Sequence, residues 1–132
     1  MDKYGVKIKG IVRCGEDFLI VKKWYDDRID EPYQWEFLDT QMEEGETPKD
    51  ACLRHVQDAT GIYCSDATIP YTWVYKLGDN KFLGIAFLCE VQDEIVFLSE
   101  DLVECKWVKA GELKEYIKNR GMLADMADAG II

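Results

Sequence analysis

The chain has 132 residues, 48% hydrophobic and 12% aromatic, which suits one domain over residues 1–132 with a sizeable core. Its formal charge of −10 and pI near 4.5 exclude a protein that coats a nucleic-acid polymer, because no stretch supplies the basic patch that phosphate backbones require. Five scattered cysteines without a CxxC pair exclude a disulfide framework or zinc knuckle, and the longest apolar run, Phe82 to Cys89, is too short to cross a bilayer.

In chain order, Val6 to Val12 alternates apolar with polar residues and then turns apolar, the pattern of a strand entering a core. Gly15-Glu16-Asp17 turns the chain into Phe18-Leu19-Ile20-Val21, predicting a hairpin. Tyr25 to Tyr33 is charged and contains Pro32, so it reads as an exposed loop, and Gln34 to Phe37 as a short strand. Thr47-Pro48-Lys49-Asp50 carries a hydroxyl cap, a first-turn proline and a capping-box carboxylate, predicting a helix that stops at Gly61. Ile62–Leu77 and Lys81–Val91 are rich in β-branched and aromatic residues and flank Gly78-Asp79-Asn80, so two long hairpin strands are predicted. Glu104 to Val108 adds a strand, Gly111 to Asn119 a helix, and Met122 to Ala129 a last short one. This order implies an α+β fold or an α/β/α sandwich with a mixed β-sheet. By itself it names no function.

The segment from Trp35-Glu36-Phe37 through Glu43-Glu44-Gly45-Glu46-Thr47-Pro48 to Arg54-His55-Val56-Gln57-Asp58-Ala59-Thr60-Gly61-Ile62 is more specific. It resembles the Nudix box of MutT-like hydrolases: Gly, five residues, Glu, seven residues, then Arg-Glu-apolar-any-Glu-Glu-any-Gly-apolar. Glu46, Arg54, Val56, Gly61 and Ile62 stand at the expected spacings, and Lys106-Trp107-Val108 with Glu112-Leu113 is similar to the family's later strand and helix. The resemblance implies a Nudix fold and hydrolysis of a nucleoside diphosphate-linked compound or nucleoside triphosphate at the pyrophosphate, with Mg²⁺ or Mn²⁺. It implies a nucleotide or related diphosphate as partner, leaves a homodimer open, and fits a cytoplasmic protein, as does the lack of an apolar signal-peptide core.

Such chemistry needs divalent cations to neutralise the pyrophosphate and acidify an attacking water, and hard cations want oxygen ligands. At ~100° per residue, positions 55, 58 and 59 share an arc roughly 120° from the apolar stripe of Cys52, Leu53 and Val56. Where the family pattern has three glutamates, this chain has His55, Asp58 and Ala59, and the glycine pair before the loop is Asp39-Thr40. The box is therefore degenerate. The candidate catalytic set is His55, Asp58, Glu46 and Arg54, with Glu46 and Arg54 also read as an ion pair bracing loop against helix. The candidate metal set is Asp58, His55, Asp39 through its backbone carbonyl, and Asp101 as a loop carboxylate. His55 has two readings, a ligand for a softer metal or general base, and a surface residue left after its glutamate lost its purpose. Substrate-binding candidates are Glu36, Trp24 and Arg28, with Trp73, Tyr25, Tyr33, Lys22 and Lys23 as further stacking or phosphate-binding residues. Three functions follow: a hydrolase weakened or altered in its metal use, a catalytically inactive module that binds a nucleotide or a protein, or, least specifically, a purely structural role.

Overall fold

The structure, a computed structural model, describes residues 3–24 and 34–132. The loop expected over Tyr25 to Tyr33, including Arg28, lies outside the described residues. Strands β1 (Tyr4–Cys14) and β2 (Asp17–Lys23) form the expected hairpin, with Gly15 at φ 60° in its turn, a conformation that disfavours any side chain. Strand β3 (Trp35–Glu36) pairs with β2, and β4 (Leu38–Thr40) pairs with β1 from Ile8 to Gly10.

Helix α1 (Pro48–Thr60) begins and ends where its signals stand. The Thr47 hydroxyl accepts from the Asp50 amide, and Gly61 closes the helix at φ 73°, its N–H donating to the Gln57 carbonyl. Strands β5 (Thr68–Leu77) and β6 (Asn80–Glu90) form the second hairpin. The first of these is shorter than expected: Thr68 already faces Leu88 and β6 ends at Glu90, so Ile62 to Ser65 lie beyond the end of the partner strand. The segment before β5 instead buries Ile62, Cys64 and Ala67, and a Lys49–Asp66 ion pair of 2.8 Å ties it to α1.

Strand β7 (Leu102–Lys109) runs antiparallel to β2, followed by a 3-10 turn at Ala110–Glu112, helix α2 (Leu113–Tyr116) and helix α3 (Arg120–Asp128). The helix expected over Gly111 to Asn119 is thus cut short. Asn119 is needed as the cap of α3, where its side chain accepts from the Met122 amide, and a cap residue is itself non-helical.

The described residues form one mixed seven-stranded sheet in which β1 is central, parallel to β6 and antiparallel to β2 and β4. Alternation along β1 sends Ile8 and Val12 to the face covered by α1, with Cys52 and Val56. Ile11 goes to the opposite face, with Leu113, Ile117 and Met126 from α2 and α3. This is the α/β/α sandwich the sequence implies. Among the described residues no helix is long and apolar enough to cross a membrane.

Candidate functional site

The loop between β4 and α1 is held by Arg54. Its Nε donates to Glu46 Oε2 at 2.8 Å, and its terminal nitrogen to Glu46 Oε1 at 3.1 Å and the Gln41 carbonyl at 3.0 Å. Glu46 Oε1 also accepts the Glu43 amide at 2.8 Å. A planar guanidinium matched to a carboxylate through two bonds fixes a loop that has few apolar contacts of its own. The hydrogen bonds from Arg54 hold the Glu46 carboxyl below its ordinary value. Both side chains are committed to each other, which bears the bracing role expected of them.

Next to Arg54 on α1, His55 is half-buried, and burial pushes its imidazole below the ordinary 6.5, with Asp39 pulling it back in part. Asp58 is exposed, its carboxylate 3.9 Å from Arg54. Ala59 differs from the expectation that it shares an open face with them: it is buried, 4% exposed, within the α1 core cluster. The chain before β7 covers it, with the Ser99 amide donating to the Ala59 carbonyl at 2.9 Å and the Phe97 amide to Thr60 at 2.8 Å.

Beside this helix face lies a second group of charges. Lys23 Nζ, at the end of β2, stands 2.6 Å from Asp39 Oδ1 and 2.9 Å from Glu36 Oε1. The Asp39 contact is a hydrogen bond, whereas Glu36 Oε1 is ion-paired without the angle of one and can still accept a donor. Burial alone would lower the Lys23 ammonium, but the two carboxylates outweigh it and hold the group above its usual value. Burial together with the Asp39 charge raises Glu36. Lys23 is thus a protonated bridge between two carboxylates.

The same Asp39 also lines a cavity of about 380 Å³ on the α3 side of the sheet, with Lys7, Lys9, Tyr71, Trp73, Tyr75, Asn119 and Asp125 among its walls. Tyr71, Trp73 and Tyr75 alternate along β5, Trp73 stacked on Tyr75 and tilted by 47° against Tyr71, and the Trp73 indole lies flat against Gly84 of β6. Lys9 is only 9% exposed and its ammonium sits 4.9 Å from the Trp73 ring centroid, without a hydrogen bond or ion pair among the described residues. Burial lowers it to about 8, against the pull of Asp39, Glu36 and Asp125. The Tyr71 hydroxyl is likewise buried without a partner there and is raised to about 12.

Fold and box meet in the comparison with known proteins: the NUDIX domain family matches residues 5–126. The chain belongs to the Nudix family. None of the curated proteins matches it in sequence. Among solved structures, a MutT protein from Methanosarcina mazei superposes with a TM-score of 0.81 at 19% identity, covering 98% of this chain and 94% of that one. An Ap4A hydrolase from C. elegans gives 0.76 at 17% identity, covering 93% of each chain. The Nudix domain of Shewanella oneidensis NrtR, complexed with ADP-ribose, gives 0.77 at 8% identity, covering 97% and 89%. At these identities the structures establish the fold alone.

Nudix hydrolases generally use divalent metals, so the donor set is the test. Among the described residues no group of three His, Cys, Asp or Glu side chains is placed to hold a metal ion. Of the Nudix helix face, His55 offers a nitrogen, Asp58 one exposed carboxylate, and Ala59 nothing. Two further carboxylates, Glu36 and Asp39, are already engaged by the Lys23 ammonium. Residues present therefore do not fit a hard divalent cation. Asp101, the fourth candidate ligand, stands on the turn before β7, where its contacts are with Ser99. Trp24 is exposed and its indole N–H donates to the Glu100 carbonyl at 2.8 Å, so it ties β2 to that turn and does not line the cavity. Arg28 lies outside the described residues.

Sequence reasoning missed Lys9, Tyr71 and Asp125. A signal for Lys9 existed: in Val6 to Ile11 it shares a face with Ile11, which is fully buried.

Proposed function

We propose that this Nudix domain binds a nucleotide or related diphosphate and that its pyrophosphohydrolase activity is reduced far below what an intact box supports. The observation that carries the reading is Lys23, whose ammonium occupies the Glu36 and Asp39 carboxylates next to a helix face that has His55 and a buried Ala59 in place of glutamates. A binding role is favoured by the aromatic cavity, which continues from Asp39 away from the helix and is large enough for a planar ring. The NrtR domain with ADP-ribose has the same fold, which supports a nucleotide-derived ligand for this chain too.

Two measurements test it together. Nucleoside triphosphates and diphosphate-linked compounds, including ADP-ribose and Ap4A, are assayed with Mg²⁺ and Mn²⁺ beside an Asp58→Ala control, and the same compounds are screened for thermal stabilisation in a chelator. The expected result is stabilisation of about 2.7 kcal/mol at a hundred times Kd, with turnover no greater than the control's. Brisk metal-dependent turnover that Asp58→Ala abolishes would overturn the proposal.

A further inference from the structure

A buried lysine ammonium is costly to desolvate, so one left without a partner in a cavity wall points to a ligand group that completes it. Lys9 comes close to that description: the residue is 9% exposed, and its ammonium, without a hydrogen bond or ion pair among the described residues, is held over the Trp73 ring where the cavity reaches it. The Tyr71 hydroxyl is a second buried group in the same wall without a partner. Both can donate. An ammonium has no lone pair to offer, so the ligand group that meets Lys9 is an acceptor.

Whether that acceptor is an anion or a neutral oxygen is decided by the other walls. Asp39 and Asp125 line the same cavity as Lys7 and Lys9, and Asp39 stands beside Lys9 in the β1–β4 register, so the two carboxylates and two ammonium groups of the lining cancel in formal charge. A phosphate placed here would meet carboxylates as well as ammonium groups, and a lining without net positive charge offers an anion little. A ring carbonyl oxygen brings an acceptor without net charge, and Tyr71, Trp73 and Tyr75 supply an aromatic wall for the ring that bears it.

Resting on the nucleotide-binding reading above, we propose that the cavity takes a neutral, carbonyl-bearing heteroaromatic ring, and that Lys9 is the residue that selects it by donating to the ring carbonyl. Guanine- and uracil-type rings satisfy Lys9; adenine, which presents an amino group and no carbonyl, leaves the ammonium unpaired. A site built to bond a polar ligand group discriminates against the analogue lacking it because its own group stays buried and unsatisfied. Charged hydrogen bonds at about 1.5–3 kcal/mol put that preference at tenfold or more.

The test measures binding of GDP, UDP and ADP by calorimetry at pH 7 to the wild-type protein and to Lys9→Met and Tyr71→Phe, each checked for its fold by circular dichroism. Wild type is expected to bind GDP and UDP about tenfold or more tightly than ADP, and Lys9→Met to bring the three within about threefold by weakening only GDP and UDP. Equal affinity for all three in wild type, or an equal loss for all three in Lys9→Met, overturns the proposal. Guanosine, uridine and adenosine are titrated in parallel against the NMR signal of the Lys9 side chain. If the diphosphates do not bind but guanosine and uridine shift that signal, the diphosphate reading fails and the role of Lys9 stands. If neither set binds, both fall.

Discussion

Replacing Lys9 by methionine gives the most direct physical test of the cavity, because the ligand-free protein alone reports on it. Lys9 drops from 10.5 to about 8 on folding, with burial as its chief cause. At 1.36 kcal/mol per pH unit, holding that ammonium in the folded wall costs about 3 kcal/mol. The contact with Trp73 is lost in the variant, and a cation over an indole contributes about 0.5–2 kcal/mol, so the desolvation cost is the larger quantity. Methionine fills similar space without a charge. Lys9→Met is therefore expected to be more stable than wild type by about 1–3 kcal/mol at pH 7. The pH dependence follows from the sign: because the folded value is the lower one, the unfolded chain holds a proton between about 8 and 10.5 that the folded chain has released. Wild-type stability from this group rises over that interval, and the gap to the variant closes. Urea denaturation of both proteins at pH 7, 8.5 and 10 measures it, and groups that titrate in both cancel in the difference. A less stable variant at pH 7, or a gap that does not change with pH, would refute a buried, unpaired ammonium.

Other perturbations probe the remaining parts. A methyl group added at Gly84 overlaps the Trp73 indole, so Gly84→Ala is expected to cost about 1–3 kcal/mol and to push the ring into the cavity, seen as lost ligand affinity and altered tryptophan fluorescence. His55→Glu with Ala59→Glu rebuilds the box on paper, but Ala59 is buried, and an unpaired carboxylate there costs several kcal/mol. A fall in melting temperature without Mg²⁺-dependent turnover is expected, and a gain of turnover would contradict the placement of Ala59. His55→Glu with Lys23→Met instead releases Glu36 and Asp39, so calorimetry is expected to detect Mg²⁺ binding absent from wild type. Arg54→Met removes the brace on Glu46 and lowers the melting temperature at neutral pH. Because the folded Glu46 carboxyl lies below its ordinary value, its contribution is present above that value and fades as pH falls through the folded one, closing the difference from wild type in acid.

Local signals were the readable ones. The Thr47 cap, Pro48 and Gly61 delimit α1 because each acts on backbone within a few residues, and alternation with turn residues located both hairpins. The brace between Glu46 and Arg54 was legible because both ends lie within the box register. Strand β4 was not, since Leu38-Asp39-Thr40 is short and polar and becomes a strand only by pairing with Ile8 to Gly10. Helical geometry gave the angle of Ala59 relative to its own helix but not what lies over it, and the 97–99 segment that covers it is far along the chain. The cavity fails the same way: Lys9, Tyr71 and Asp125 come from three separated elements, and only the fold brings them to one wall.

The bridge that Lys23 makes between Glu36 and Asp39 has a consequence for how the protein responds to its surroundings. A coordinated metal ion exchanges with solvent, carries two charges and can hold a water molecule in an open position where it ionises. An ammonium on a side chain does none of these: it stays attached, carries one charge and has no position to offer. A site furnished this way keeps its charge whatever the supply of free magnesium, and it holds no water in a position where a metal would ionise it. Retention of the ligand, rather than its conversion, is what a tethered cation favours.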